Sequence, residues 1–280
     1  MFPAGKAGNV LRGAFGKLLW GSEDFARFFA PAPHPPLGAS LDLWGSEDFA
    51  RFFAPKQDSG PSGLADPPRP FVFRAAHLDG CVFEAGAEFY FDAHTFDVRA
   101  PLAGALTHAC ADLPPIGFGT RRGRIEFIRD DAPPVIHDVD LSPEAASEVT
   151  VIFRTPTDLK GARSLPSQAE IPFGILFARI RDRIGTLSSL YGGGALNIDY
   201  KSMGAGADLI QTVKCEVEYR DVSRRSGRTG DVHSIGGFTG MAQYRGDLTE
   251  FMPYLRAAWW TGVGRHTVWG NGVIDCVAGE

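Results

Sequence analysis

The sequence predicts an α+β protein built from two tandem ferredoxin-like (RRM-like) units, each of the order βαββαβ. Helical and strand-like segments recur in the same order in the two halves of the chain, and each half closes with a helix, a glycine-rich loop and a strand. A Pro-containing segment separates the halves. The first unit either lacks its opening strand or has it truncated, because helical signals begin directly after Gly8 and Asn9.

Composition and charge bound the class of protein. The chain has 280 residues, 44% hydrophobic and 22% charged, which is enough for two globular domains. A formal net charge of −5 counts against a protein that coats nucleic acid without selectivity. Lys6, Arg12 and Lys17 interrupt what would have to be an apolar signal peptide, and four scattered cysteines form no C-x-x-C pair. We therefore expect a cytoplasmic protein with reduced thiols, no metal or other cofactor, and no membrane partner.

The first half, residues 1–130, begins with a helical segment that leads into a duplication. The twelve residues WGSEDFARFFAP occur at 20–31 and again at 44–55, within an insert that spans 20–55. Identical copies indicate a local duplication, because the repeats of solenoid proteins diverge and need several copies to bury a face. Strands are then predicted at 71–75 and 87–97, a helix at 100–113, and a strand at 124–129 after the glycines at 117, 119 and 123.

The second half, residues 148–280, follows a linker at 131–147 and contains a complete unit. Apolar residues three and four positions apart predict amphipathic helices over 172–191 and 248–260. Strands are predicted at 148–154, 209–219, 236–244 and 268–277. Taken in order, these elements give the βαββαβ pattern.

A glycine-rich loop joins the last predicted helix to the last strand. Gly262, Gly264, Gly270 and Gly272 form the pattern G-x-G-x5-G-x-G. A dinucleotide site or a P-loop has the opposite order, with a strand before the glycines and a helix after them, and Gly-Lys-Ser/Thr is absent. This counts against an enzyme that binds a nucleotide in the loop. The loop then either brings its backbone close to RNA or is a glycine-rich turn without a ligand.

This order of elements is similar to that of the RAMP superfamily of CRISPR-associated RNA-binding proteins. The whole chain resembles the endoribonuclease family that cleaves precursor CRISPR RNA within its repeats. It departs from that family in the missing first strand and in the duplicated segment, which stands where relatives often carry a Cys-rich insert. The segments that carry the resemblance are, in order, GNVLRGAFG, DPPRPFVFR, GFGTRRGRIEF, FRTPTDLK, RRSGRTGDVHSIGGFTGMAQYRGDL and GVGRHTVWGNG.

The resemblance implies metal-independent cleavage of CRISPR repeat RNA that leaves a 2′,3′-cyclic phosphate. A base deprotonates the 2′-hydroxyl, which attacks the adjacent phosphate, and an acid protonates the leaving 5′-oxygen. Precursor CRISPR RNA is the implied partner, and other CRISPR effector subunits are compatible with it. The alternative is a non-catalytic RAMP subunit of an interference complex, since holding RNA requires the glycine loops and arginines but no histidine.

Histidine suits both proton transfers near neutral pH, and three of the seven histidines are catalytic candidates, with His34 and His266 ahead of the third. His34 lies in a Pro-rich loop, about where the family places its general base. His266 lies inside the second glycine loop beside Arg265, where contact with RNA is the stronger expectation. His233 follows an Arg-rich segment and is a third candidate. Structural or solvated roles are expected for His77, His94, His108 and His137.

Arginines beside glycine-rich turns predict the RNA contacts. Guanidinium groups pair bidentately with phosphate, and A-form RNA is recognised mainly through its backbone and shape. The alternative is that these arginines balance the 33 acidic residues on solvated faces. The predicted RNA-binding residues are Arg12, Lys17, Gly117, Gly119, Arg121, Arg122, Arg224, Arg225, Arg228, Gly262, Gly264, Arg265, Gly270 and Gly272.

Overall fold

A computed structural model describes residues 1–21, 68–98, 135–159, 170–225 and 231–279, with side chains in the first range as far as residue 15. The duplicated segment beyond residue 21 and the side chain of Lys17 lie outside the described residues, as do His34, His108, Gly117, Gly119, Arg121, Arg122 and Arg228. The described helices are α1 (Ala7–Gly21), α2 (Phe173–Tyr191), α3 (Tyr200–Asp208) and α4 (Met252–Thr261). The described strands are β1 (Phe71–Arg74), β2 (Asp92–Thr95), β3 (Glu148–Thr157), β4 (Gln211–Arg220), β5 (Ser223–Arg225), β6 (Val232–Ser234), β7 (Gly237–Arg245) and β8 (Ile274–Ala278).

The second unit is a four-stranded antiparallel sheet with the strand order β4-β7-β3-β8. Numbered within the unit, the order is 2-3-1-4, which is the ferredoxin-like arrangement. Strand β3 lies in the middle and alternates strictly over its first half, so that Val149, Val151 and Phe153 are buried on one face. The βαββαβ prediction for this half is therefore confirmed.

Helices α2 and α4 cover the buried face of the sheet. The predicted apolar stripe of α2 is buried along its whole length, and the ring of Phe177 packs edge-to-face against Phe251 at 4.7 Å. Burying each large apolar side chain of this kind contributes about 1.5–3 kcal/mol. The stripe consists of Leu176, Ile180, Ile184, Leu187 and Tyr191.

The opposite face of the sheet is polar, and it carries ion pairs within the face. In each pair a cation lies next to a carboxylate on the same or a neighbouring strand, so the face supplies its own counter-ions. Individually such exposed pairs contribute little to stability. The pairs are Arg154 with Asp275, Lys214 with Glu216 at 3.0 Å, Arg220 with Glu218 at 3.6 Å, and Arg245 with Glu148 at 2.7 Å.

The described part of the first unit contains α1 and the antiparallel pair β1–β2. Helix α1 packs on β1, with the Phe15 ring stacked on Phe73 at 5.1 Å. The start of α1 is held from a distant segment, because the Ala7 backbone N–H donates to the Asp79 carboxylate at 2.7 Å. Burial raises the pKa of Asp79. This bond satisfies one of the N–H groups that every helix leaves unpaired at its N-terminus.

Several elements differ from the sequence prediction. Helix α3 was not predicted, because Gly204 and Gly206 lower its helix propensity, and the Asp199 carboxylate that caps it compensates locally. Helix α4 begins at Met252 rather than at 248, with Pro253 in its first turn. The final strand is shorter than predicted, since residues 267–269 form a 3₁₀ turn. No helix within the described ranges is long and apolar enough to cross a membrane.

Candidate nucleic-acid interface

The second glycine loop connects α4 to β8 and has an unusual backbone. All four of its glycines have positive φ, between 69° and 87°, and so does His266 at 66°, the only such non-glycine residue in the described ranges. A Cβ on Gly272 would lie 2.0 Å from the Val263 carbonyl oxygen, and one on Gly264 would lie 2.4 Å from that of Asp158. Glycine is therefore required in this loop for two reasons: the backbone has positive φ, and carbonyl oxygens of neighbouring segments leave no room for a Cβ.

Backbone hydrogen bonds hold the loop to itself and to the end of β3 and the residues after it. The Val263 N–H donates to Gly272 at 2.9 Å, and the Arg265 N–H donates to Asp158 at 2.9 Å. The Gly272 N–H donates to Pro156 at 3.1 Å. These N–H groups are thus engaged within the protein. The glycines give the loop its compact shape, and its side chains are what it presents outward.

Helix α1 docks on this loop by direct backbone contact. A Cβ on Gly8 would lie 2.6 Å from the Gly270 Cα and 2.7 Å from the Trp269 carbonyl oxygen. Arg12 is one helical turn beyond Gly8 and therefore lies on the same side of α1. The close approach of the two backbones brings the Arg12 side chain to the loop.

The Trp269 ring is the centre of a cluster drawn from three elements. The guanidinium of Arg12, from α1, lies over the ring at 5.2 Å from its centroid. The guanidinium of Arg224, from β5, lies over it at 4.7 Å. The His266 ring stacks on the same indole at 4.9 Å and an interplanar angle of 28°. Cations at these distances are attracted to the electron-rich ring face.

The β5–β6 hairpin carries Arg224 and is anchored to the loop. Arg224 pairs with His233 across the hairpin, and the Ile235 N–H after β6 donates to Val222 before β5 at 2.7 Å. The buried Asn271 of the loop donates from Nδ2 to the Ile235 carbonyl at 2.6 Å. This last bond fixes the base of the hairpin against the glycine loop.

Positive charge dominates the cluster. Burial, followed by the neighbouring Arg265, lowers the pKa of His266 against an opposing effect of Asp158, which favours the neutral imidazole. The Asp158 carboxylate lies 3.4 Å from Arg265 and 3.9 Å from the His266 Nε2. Burial also lowers the pKa of Arg224, and among the described residues no carboxylate pairs with it. The cluster can therefore accept anionic groups.

A second set of basic side chains holds the end of α4, where the glycine loop begins. Three side chains from separate elements reach three successive carbonyls at the C-terminus of the helix, where its dipole favours positive charge. Burial lowers the pKa of Arg74 and of Arg183. The bonds run from Arg183 Nε to Thr261 at 2.8 Å, between His94 Nδ1 and Trp260 at 3.1 Å, and from Arg74 Nη2 to Trp259.

The structure brings together four of the residues that the sequence suggests as site residues: Arg12, Arg224, Arg265 and His266. Arg225 lies on β5, where it pairs with Val232 across the hairpin. No group of three or more His, Cys, Asp or Glu side chains in the described part of the chain is arranged to hold a metal ion. Sequence reasoning did not single out Trp269, Asp158, Arg74 or Arg183 as site residues, and it gave His94 only a structural or solvated role.

One signal in the sequence could have identified Trp269, namely an aromatic residue inside the same loop as Arg265 and His266. Asp158, Arg74 and Arg183 gave no comparable signal, because their partners are distant along the chain.

Residues 151–274 match the model of the family of the CRISPR-associated endoribonuclease Cas6. The match runs from β3 to the start of β8 and so includes the β5–β6 hairpin, α4 and the glycine loop. The resemblance to the repeat-processing endoribonucleases is confirmed. No curated protein matches the sequence.

Solved Cas6 structures extend the likeness along the chain. A product complex of Thermus thermophilus Cas6 matches with a TM-score of 0.52 at 16% identity, covering 99% of this chain and 96% of that chain. A product complex of a second Cas6 matches with a TM-score of 0.47 at 16% identity, covering 99% and 94%. The first match extends over both halves of the chain, which confirms the prediction of tandem ferredoxin-like units.

Proposed function

We propose that this Cas6-type protein binds CRISPR repeat RNA on the face formed by α1, the β5–β6 hairpin and the second glycine loop, and cleaves precursor CRISPR RNA there. One observation carries the proposal. Two arginines and a histidine that the sequence suggests as site residues gather around one indole, and all of these residues except Arg12 lie in the segment that matches the Cas6 family model. The Thermus structure named above is described as a product complex, which supports an RNA ligand.

Charge pairing supports this choice of face. The paired cations on the open face of the sheet have carboxylate neighbours, whereas Arg224 has none among the described residues. A guanidinium without a counter-ion is well suited to bind phosphate, because charge-assisted bidentate bonds are among the stronger ones in proteins. The RNA backbone would supply a negatively charged partner for the Arg224 guanidinium.

The proposed reaction needs no metal. A base takes the proton of a 2′-hydroxyl, the 2′-oxygen forms a bond to the adjacent phosphorus, and the bond from phosphorus to the 5′-oxygen breaks as an acid protonates that oxygen. The products are a 2′,3′-cyclic phosphate and a free 5′-hydroxyl. Cationic groups stabilise the negative charge of the transition state. His34 is the proposed general base, following the family resemblance.

His266 is the second catalytic candidate. Its lowered pKa favours the neutral form, which a base requires. Its side chain is only 14% exposed, however, and its Nε2 is buried. This burial counts against proton transfer by the imidazole. It also supports the alternative of a RAMP subunit of an interference complex that holds RNA without cutting it.

The test is incubation of the full-length protein with end-labelled repeat RNA in EDTA. We expect cleavage at one position for the wild-type protein, and no cleavage of RNA that carries a 2′-deoxy nucleotide there. His34→Ala should abolish cutting while preserving affinity, and His266→Ala should reduce affinity. Arg154→Ala, which changes a paired arginine on the sheet face, is the matched control. Tight binding of RNA without cleavage by the wild-type protein would overturn the nuclease and favour the RNA-holding subunit.

A further inference from the structure

We propose that Trp269 positions the guanidinium groups of Arg12 and Arg224 for neighbouring phosphates of one RNA strand. The indole then acts through the two arginines rather than by stacking on a base. This inference rests on the proposed function, because the phosphates belong to the RNA bound at the same face.

The first argument is the occupancy of the ring. Two guanidinium groups and the His266 imidazole all lie within 5.2 Å of the indole, measured between centroids or from the guanidinium carbon to the centroid. A base that stacked on this ring would have to compete with these three groups. A guanidinium that rests its face on an aromatic ring keeps its N–H edge available for a phosphate. The arrangement thus suits the RNA backbone better than its bases.

The second argument is that the two arginines come from separate parts of the chain. Arg12 belongs to α1 and Arg224 to the hairpin, and the Trp269 ring contacts both. Arginine side chains are long and lose much rotamer freedom when they are immobilised on a ligand. Holding both on one rigid ring before binding reduces that cost. Trp269 is therefore a positioning residue for phosphate recognition.

The third argument is that Trp269 contacts the cluster through its ring and not through its N–H group. The Trp269 Nε1 is buried and has no hydrogen-bond partner among the described residues. A tryptophan selected for a buried N–H group would normally have a partner for it. The flat ring is what the cluster uses. A second aromatic ring without an N–H group should consequently replace it.

The test compares Trp269→Leu with Trp269→Phe, using repeat RNA with a 2′-deoxy nucleotide at the cleavage position so that binding is measured without cutting. Leucine removes the aromatic face, and we expect RNA affinity to fall about tenfold. Phenylalanine keeps the face and should stay within about threefold of the wild-type affinity, because a phenyl ring attracts cations less strongly than an indole. Melting temperatures in the absence of RNA identify any variant that fails to fold.

A double-mutant cycle with Arg224→Ala separates positioning from simple packing. If Trp269 acts through Arg224, removal of Arg224 should weaken binding much less in the Trp269→Leu background than in the wild type. Arg224→Lys, which keeps the charge but not the planar fork, should weaken binding while preserving the salt dependence. These readouts do not respond to a loss of stability alone.

Additive effects of the two substitutions, or equal affinities of Trp269→Leu and wild type, would overturn the inference and leave the proposed function standing. So would a Phe variant that folds but binds as poorly as the Leu variant. Failure of the wild-type protein to bind repeat RNA would instead overturn the proposed function, and the inference with it.

Discussion

The backbone of Gly8 in α1 lies directly against the backbone of Gly270 in the second glycine loop, with no room for a side chain on the helix. The contact joins the first helix of the chain to its last loop. It places Arg12 over Trp269 and thereby assembles the RNA-binding face proposed above.

Gly8→Ala should destabilise the protein by about 1–3 kcal/mol, because the new methyl group meets backbone atoms that cannot rotate away. Gly13 in the same helix has nothing within 4 Å of the corresponding position. Gly13→Ala should therefore be neutral or stabilise the helix by up to about 1 kcal/mol. Urea unfolding of both variants checks this. Equal stability of the two would contradict the close approach.

Arg183→Met should lower the free energy of unfolding by about 1–3 kcal/mol. The substitution leaves the Thr261 carbonyl without its donor at the buried end of α4. Arg179 on the same helix is half-buried and lies 3.9 Å from Asp182, so Arg179→Met should change stability by less than about 0.5 kcal/mol. Chemical denaturation measures the stability of the two variants. If Arg183→Met were as stable as Arg179→Met, the contact between Arg183 and the Thr261 carbonyl would not stabilise the end of α4.

Stability should depend on pH through His94. Burial lowers the pKa of this histidine below its ordinary value of 6.5. The unfolded chain then takes up a proton before the folded protein does, so stability falls as the pH decreases through 6.5 toward the folded pKa. In His94→Gln the amide can still donate to Trp260 but does not titrate. Urea unfolding at about pH 7.5 and about pH 5.5, on either side of the ordinary histidine pKa, should show a smaller loss for the variant. Equal losses of stability in the wild-type protein and the variant would show that His94 does not cause the pH dependence.

RNA should bind the Trp269 side of the protein and not the open face of the sheet. Arg224→Ala should weaken binding about tenfold or more and reduce the slope of log affinity against log salt by about 0.7–0.9, since one phosphate contact is lost. Arg220 lies four residues earlier and pairs with Glu218, so Arg220→Ala should bind nearly as wild type. Filter binding across a salt series measures both quantities. Similar losses in the two variants would show that the faces have been misassigned.

The helices, the strands and the glycine loop could be predicted from the sequence more completely than the residues of the candidate site. The stripe from Leu176 to Tyr191 predicts α2 because its period is local, and the glycine spacing marks the loop for the same reason. Helix α3 escapes prediction because Gly204 and Gly206 conceal a helix that Asp199 caps.

Residues whose roles depend on distant partners could not be predicted. Arg183 resembles any polar residue on an amphipathic helix, and only the fold brings it to the end of α4. The Trp269 cluster likewise depends on the packing of α1 and of the hairpin against the loop. Arg12 is recognisable as a candidate because it precedes the duplicated segment, and Arg224 because it lies in an arginine cluster. No periodicity, however, links a lone aromatic residue to arginines elsewhere in the chain.

The docking of α1 on the last loop also bears on the order of synthesis. Helix α1 leaves the ribosome with one side of its surface uncovered, because the backbone that covers Gly8 belongs to Trp269 and Gly270, far downstream in the chain. A nascent chain therefore displays Arg12 without the indole on which it rests. The face for RNA can exist only once these two distant segments of the polypeptide have met, so a truncated product would lack it even if the central sheet were complete.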